Sequence, residues 1–268
     1  SWIIDPEKAA LKMANHTRVY HSKPSFKTIL DAVTKQFSSG EGAIQFAPEA
    51  IARSNADILD KNELKKEFVE IYSEQGKGEA KKWLNLNYGP FSEEELNHRM
   101  TRYGLNPCGE ILGNDFHCNL AEVHLNQINP NDFEEQRKAF KAAALSVACL
   151  LNHNFEVERY RKSREFDPIV GVSFTGLFDF LVHAFGTPWL KWWEEGRPDT
   201  IEGKEFKKRE AKYLDSWRII VKETVWEYCD RHNLRRPNRC TTVQPAGTKS
   251  LLTGAAPGWH PPKAQRFV

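Results

Sequence analysis

The stretch Asp167-Pro-Ile-Val-Gly-Val-Ser-Phe-Thr-Gly176 decides the fold. Asp-Pro breaks any preceding helix, Ile169 to Phe174 is a short β-branched run suited to a strand buried on both faces, and Gly176 to Phe185 continues as a helix. The same alternation lies on either side. Upstream, Cys118-Asn-Leu-Ala-Glu-Val-His-Leu125 alternates well enough for a strand, and Asn129-Pro-Asn-Asp132 leads into a helix from about Phe133 to Leu151. Downstream, a long helix through Glu205 to His232 carries Leu214, Trp217, Ile220, Val221, Val225 and Tyr228 inward. Cys240-Thr-Thr-Val-Gln244 is then another short strand, followed by a further helix start. Strand, helix, strand, helix with strands of this type predicts an α/β barrel or open sheet, not an all-helical array.

The first hundred residues have a different texture, helices separated by Gly, Pro and Asn. Phe26, Ile29, Leu30, Val33 and Phe37 are spaced by three and four and place an apolar stripe on a helix ending near Gly40. Leu64, Phe68 and Ile71 share one face of a helix from Asn62 to Ser73. Ser92-Glu-Glu-Glu95 has the form of a capping box for a helix through Leu96 and Met100 that ends at Tyr103-Gly104. Two regions are expected: a mainly helical part over 1–103, and a part over 104–268 that holds the chemistry.

Composition bounds the class. Of 268 residues, 40% are hydrophobic and 28% charged, with a formal charge of +2, which excludes disordered and strongly basic nucleic-acid-coating proteins. The apolar run Ala142 to Leu151 is too short to span a membrane, and Ser-Trp-Ile-Ile-Asp-Pro6 lacks the basic and apolar regions of a signal peptide. Five cysteines, Cys108, Cys118, Cys149, Cys229 and Cys240, are an odd number spread thinly, which argues against a disulfide framework and for a reducing cytoplasm. With no initiator Met and no polar tail after Lys263, both ends read as cut, so a fragment is expected.

Three features point to chemistry. In Asn106-Pro-Cys-Gly-Glu-Ile111, an extended chain would put Asn106, Cys108 and Glu110 on one face, where a thiol, a carboxylate and an amide suit reaction at a vicinal diol. An Asn-Pro turn beside a buried cysteine accounts for the same residues. Gln244-Pro-Ala-Gly-Thr-Lys-Ser250, between a strand and a helix, reads as a phosphate cradle: Gly247 allows close approach, Thr248 and Ser250 offer hydroxyls, Lys249 offers charge, and the helix start offers N–H groups. A plain capped turn is its alternative. His117, Cys118, His124 and Cys108 lack the usual metal-ligand spacing, so no metal site is expected. Cys149 is expected in the core, and the tryptophans, including Trp189, Trp192 and Trp193, are expected to pack and not to stack on bases.

Taken together, the stretches from Asn106, Cys118 and Asp167, with Thr241-Thr-Val-Gln-Pro-Ala-Gly-Thr-Lys-Ser250, resemble the catalytic subunit of ribonucleotide reductases. The likeness is greatest to the adenosylcobalamin-dependent class II enzymes of the monomeric ribonucleoside-triphosphate reductase type found in cyanobacteria and cyanophages. It extends to Met13-Ala-Asn-His-Thr-Arg18 and Thr253-Gly-Ala-Ala-Pro-Gly-Trp-His-Pro-Pro262. The resemblance implies part of a ten-stranded α/β barrel with a central finger loop and the reduction of ribonucleotides by thiyl-radical chemistry. Cys108 would carry the radical and remove the ribose 3′-hydrogen, Glu110 would be the base at the 3′-hydroxyl, Asn106 would hold the ribose hydroxyls, and Cys118 would be one of two redox cysteines. Pro245, Ala246, Gly247, Thr248, Lys249 and Ser250 would bind the substrate phosphates, with Ala246 where serine is expected. Adenosylcobalamin would be the cofactor and a thioredoxin-type dithiol protein the reductant. The second redox cysteine has no counterpart before Cys108, so the rest of a reductase chain is an expected partner and the isolated chain is expected to be inactive. A glycyl-radical enzyme, or a catalytically silent nucleotide- or phosphate-binding module, is the competing reading.

Overall fold

A computed structural model describes residues 16–39 and 42–262; the expectations placed on residues 1–15, on Gly40 and on residues 263–268 lie outside the described residues. The chain divides into two compact units, Ser1–Asn114 and Asp115–Val268. The division falls eleven residues beyond the expected boundary, so residues 106–110 belong with the helical unit.

The first unit opens on a parallel strand pair, β1 (Thr17–Tyr20) and β2 (Ala43–Phe46), joined through α1 (Phe26–Ser39). The stripe found in the sequence of α1 faces outward: Phe26 and Phe37 are 82% and 92% exposed, while Ala32 is the buried residue. Helices α2 (Ala47–Ser54), α3 (Asn62–Gln75), α4 (Lys77–Tyr88) and α5 (Glu93–Arg99) follow. Their core joins Ile51, Leu59, Phe68, Tyr72, Leu84, Leu96 and Met100. Half of the capping box forms. Ser92 Oγ accepts from the Glu95 N–H at 3.1 Å, but the Glu95 carboxylate turns to Arg99 at 2.9 Å instead of reaching back.

Arg99 is the centre of this unit. It is 1% exposed and donates to both carboxylate oxygens of Asp57 at 3.2 and 2.9 Å, to Glu95, and to Asn55 Oδ1 at 3.0 Å. Arg102, also buried, donates to Asn55 Oδ1 at 3.1 Å and to His98 Nδ1 at 3.2 Å, and its carbonyl accepts from Ser54 Oγ at 2.7 Å. Two residues later the hairpin of β3 (Gly104–Leu105) and β4 (Leu112–Gly113) begins. This knot therefore fixes where the hairpin leaves the helices.

The second unit is the α/β part. β5 (Leu120–His124) and β6 (Gly171–Thr175) pair in parallel, connected through α6 (Phe133–Ala148) and α7 (Glu158–Phe166). Parallel pairing requires such a crossover, and β6 is buried at all five positions because both its faces are covered. The expected strand at Cys240 forms one parallel bridge, Val172 to Thr241. Helices α8 (Leu177–Phe185), α9 (Thr187–Glu194) and α10 (Ile201–Arg231) complete the layer, and α11 (Gly247–Ser250) is a single turn. Trp217 is the hub of the core, stacked on Phe140 at 4.9 Å and edge-on to Phe180 at 5.2 Å, with Nε1 donating to Gln136 Oε1 at 3.0 Å. Trp189 and Trp192 are buried in the same core, as the packing reading expects.

The barrel is not drawn by these residues: the described strands form three separate two-stranded sheets. Among the described residues, no helix is long and apolar enough to cross a membrane.

Burial opposes ionisation of Asp57, yet the hydrogen bonds and charge of Arg99, with the charge of Arg102, hold its carboxyl below the usual range. A depressed folded value stabilises above the unfolded pKa of about 3.9 and is lost as pH falls through the folded one. Asp57→Asn should therefore destabilise the protein by about 3 kcal/mol near neutrality. Urea unfolding of both proteins should show that difference shrinking below roughly pH 4.

Candidate active site

Residues 106–111 form the tip of the β3–β4 hairpin, and they are not extended. The Gly109 N–H donates to the Asn106 carbonyl at 2.9 Å, closing a tight turn in which Gly109 adopts φ +79°, a conformation open to glycine at little cost. Asn106 Oδ1 accepts from the N–H groups of Glu110 and Ile111, both at 3.0 Å. The alternating face predicted from an extended chain is thus replaced by a loop that Asn106 ties from inside. The pairing of Leu105 with Leu112 brings the two ends of the loop together, and the six residues between them can only turn.

Cys108 stands at the apex, exposed. It lines a pocket of about 290 Å³ with His16, Thr17, Gln36, Ala43 and Asn106. Strand alternation places Gln45 two residues beyond Ala43, on the same side of the β1–β2 pair. Gln45 is 9% exposed, and among the described residues neither polar atom of its buried amide has a hydrogen-bond partner. A buried amide in that state is costly unless something pairs it, which makes Gln45 a candidate that sequence reading missed. Only its polar type in a short apolar strand, Ala43-Ile-Gln-Phe46, could have flagged it.

In the second unit Cys118 is exposed, two residues before β5. Ala246 holds φ +56°, ψ 28°, and turns the chain into α11. The Ser250 N–H donates to the Ala246 carbonyl at 3.0 Å and its hydroxyl to the Gly247 carbonyl at 2.8 Å. Ser250 therefore closes the turn, and the hydroxyl expected to face a phosphate is engaged inside the loop. The N–H groups of Gly247, Thr248 and Lys249 have no backbone acceptor among the described residues, and all three residues are exposed. Three adjacent N–H groups at the surface are thus left to donate outward.

A second layer holds this loop. Thr253 Oγ1 lies 2.7 Å from His124 Nδ1 and 3.1 Å from Asn126 Oδ1, and the Thr253 carbonyl accepts from Asn126 Nδ2 at 2.9 Å. Thr175 Oγ1 donates to the Ala256 carbonyl at 3.1 Å and accepts from the Gly258 N–H at 3.0 Å, while Asp179 accepts from the Ala256 N–H at 2.7 Å. At Gly258 an added Cβ would lie 2.5 Å from the Gln244 carbonyl oxygen, so only glycine lets this segment lie against the start of the loop. Sequence reading noted residues 253–262 without assigning them this part.

Among the described residues, no group of three His, Cys, Asp or Glu side chains is placed to hold a metal ion. His124 is engaged with Thr253, and His117 packs on Phe155 at 4.7 Å. Cys149 is exposed at the end of α6, contrary to the core placement expected of it, because the helix stops one residue earlier and Cys149 starts a 3₁₀ turn.

No family model matches the chain. It is similar to curated adenosylcobalamin-dependent ribonucleoside-triphosphate reductases. That of Lactobacillus gasseri is 31% identical over 163 residues, covering 59% of this chain and 22% of the relative. That of Levilactobacillus brevis is 30% identical over 191 residues, covering 66% and 24%. That of Lactobacillus leichmannii is 30% identical over 166 residues, covering 59% and 22%. A crystal structure of a B12-dependent class II ribonucleotide reductase aligns at 24% identity and a TM-score of 0.46, over 60% of this chain and 23% of that one. The chain is thus homologous, over about 60% of its length, to a segment of adenosylcobalamin-dependent ribonucleoside-triphosphate reductases, and it spans less than a quarter of their length.

Burial pushes the Cys229 thiol up to about 11 and the Cys240 thiol up to about 12, whereas Cys108, Cys118 and Cys149 are exposed. Thiolate is the reactive form. Titration with a thiol reagent near pH 8 should modify Cys108, Cys118 and Cys149 quickly in the folded protein, and Cys229 and Cys240 only after denaturation, as peptide mass mapping would show.

Proposed function

We propose, from this kinship, that the chain is the finger-loop and phosphate-loop portion of a ribonucleotide reductase that converts ribonucleoside triphosphates to 2′-deoxyribonucleotides by thiyl-radical chemistry. The observation that carries the reading is Cys108 held at the apex of a turn that Asn106 ties from within, at the rim of a polar pocket, in a chain homologous to such enzymes. A turn fixed in this way presents sulfur at a defined point, which hydrogen-atom transfer demands.

In this reading the Cys108 thiyl takes the 3′-hydrogen of the ribose and later returns it. Glu110 accepts the proton of the 3′-hydroxyl. Asn106, its Oδ1 engaged by the loop, has Nδ2 for a ribose hydroxyl, so it both shapes the turn and contacts substrate. The 2′-hydroxyl leaves as water with a proton from the redox pair, and Cys118 and a second cysteine from elsewhere in the protein end as a disulfide. A dithiol of the thioredoxin type reduces that disulfide. The triphosphate would rest on the free N–H groups of Gly247, Thr248 and Lys249, within the loop from Pro245 to Ser250. The three two-stranded sheets would be arcs of a larger α/β barrel. The setting would be the reducing cytoplasm.

Adenosylcobalamin is the cofactor named for the relatives and is proposed for the longer protein. The pocket beside Cys108, at about 290 Å³, falls at the floor of the roughly 300–1,000 Å³ usual for small-ligand sites and does not fit a corrin. No residue of this chain is assigned to hold the cofactor, and no step is derived through it.

The test uses the full-length protein with adenosylcobalamin, dithiol and a ribonucleoside triphosphate. Cys108→Ser should abolish deoxynucleotide formation while the unfolding midpoint stays near wild type, because an alcohol O–H is too strong to carry the radical. Substantial turnover by this variant would overturn the assignment. Glu110→Gln should keep nucleotide affinity and lower kcat by about 10² to 10⁴; equal losses in affinity and rate would make Glu110 structural.

A further inference from the structure

We propose that Lys249 is the counter-ion of the buried Glu122 and acts by setting the position of the phosphate loop, not as a ligand of a phosphate oxygen. This rests on the reading of residues 245–250 as the phosphate loop. Glu122 lies in the middle of β5, and its side chain is 4% exposed. Neither of its carboxylate oxygens accepts a hydrogen bond among the described residues. Lys249 Nζ lies 2.9 Å from Oε2, a charge contact not angled as a hydrogen bond. The ammonium is therefore what compensates a carboxylate taken out of water, and removing it would leave that charge buried and alone.

Lys249 has a second tie. Its Nζ donates to Gln244 Oε1, on a side chain that is itself buried, and the Gln244 N–H donates to Ser173 Oγ on β6 at 2.8 Å. One ammonium thus joins the middle of β5, the end of the strand-like segment at Gln244 and the single turn of α11. The Lys249 side chain is half exposed, but the carboxylate it faces is not: moving the ammonium onto a phosphate would leave Glu122 out of water with no counter-charge, a cost that an ion pair on an exposed, solvent-screened loop offsets only weakly. The balance holds the lysine inward, and the three free N–H groups remain as the anion-binding surface. Glu122 follows Cys118 by four residues, so the same contact ties the segment carrying the proposed redox cysteine to the loop.

The experiment is a double-variant cycle in the full-length protein with Lys249→Met, Glu122→Gln and the pair combined. It reads the thermal unfolding midpoint without nucleotide, and KM and kcat with a ribonucleoside triphosphate. Lys249→Met alone should lower the midpoint and raise KM roughly 10- to 100-fold, with kcat changed far less. Adding Glu122→Gln removes the stranded charge and should recover most of both losses, and Lys249→Arg should rescue in part. A double variant as impaired in KM as Lys249→Met overturns the proposal and makes the lysine a phosphate ligand. An unchanged midpoint in Lys249→Met overturns it as well. Should the wild-type protein itself not bind the triphosphate, the phosphate-loop reading fails, and the thermal cycle by itself still decides whether Glu122 depends on Lys249.

Discussion

The first unit depends on a guanidinium buried among carboxylates. Arg99 cannot lose its charge, so its burial is tolerable only where Asp57 and Glu95 surround it and Asn55 takes a remaining donor. That requirement pins α2, the segment after it and α5 to one another. Arg102 and Ser54 extend the knot to the residues just before β3. The hairpin that carries Cys108 is thus launched from a part of the chain that fixed charges and buried hydrogen bonds hold in place.

The second unit solves a different problem. Its central strand β6 is apolar and buried, and Trp217 with its aromatic neighbours fills the space under the helices. Within the core the buried Gln136 and Glu210 accept from the Trp217 and Trp189 indoles, whereas the polar groups along and beyond the strands, His124, Thr175, Ser173 and Gln244, are tied to residues 244–258. The ends of parallel strands collect loops and helix starts, which is where ligands of α/β proteins bind. Glu122 is the exception, a carboxylate within the strand, and Lys249 is what makes it tolerable.

Both candidate sites share a division of labour between side chain and backbone. Asn106 uses its amide oxygen to hold two backbone N–H groups, so that Cys108 is presented by the turn. Ser250 uses its hydroxyl to close another turn, so that the N–H groups before it face outward. Residues read from the sequence as direct ligands are in part builders of the loops themselves.

The sequence by itself determined the motifs and many of the elements, though not the β1–β2 pair or the helices α2, α4, α7 and α9. The strands at Leu120 and Gly171, the helices at Phe133, Leu177 and Ile201, and the α3 and α5 helices are legible because period and capping are local properties of the chain. The order of the motifs around Asn106, Cys118, Asp167 and Thr241 was enough to point to a family, since four separated motifs in one order are far more specific than any one of them. Tertiary structure decided what each side chain does. The trio at residues 106–110 reads as extended until the pairing of Gly104 with Gly113 forces a turn. The stripe of α1 reads as a core face until packing turns Ala32 inward instead. Cys149 reads as buried until the helix ends beneath it. The roles of Arg99 and Lys249 were invisible because Asp57 and Glu122, the carboxylates they face, lie far away in the sequence, and a charge's meaning depends on whether water or another charge stands beside it once the chain has folded.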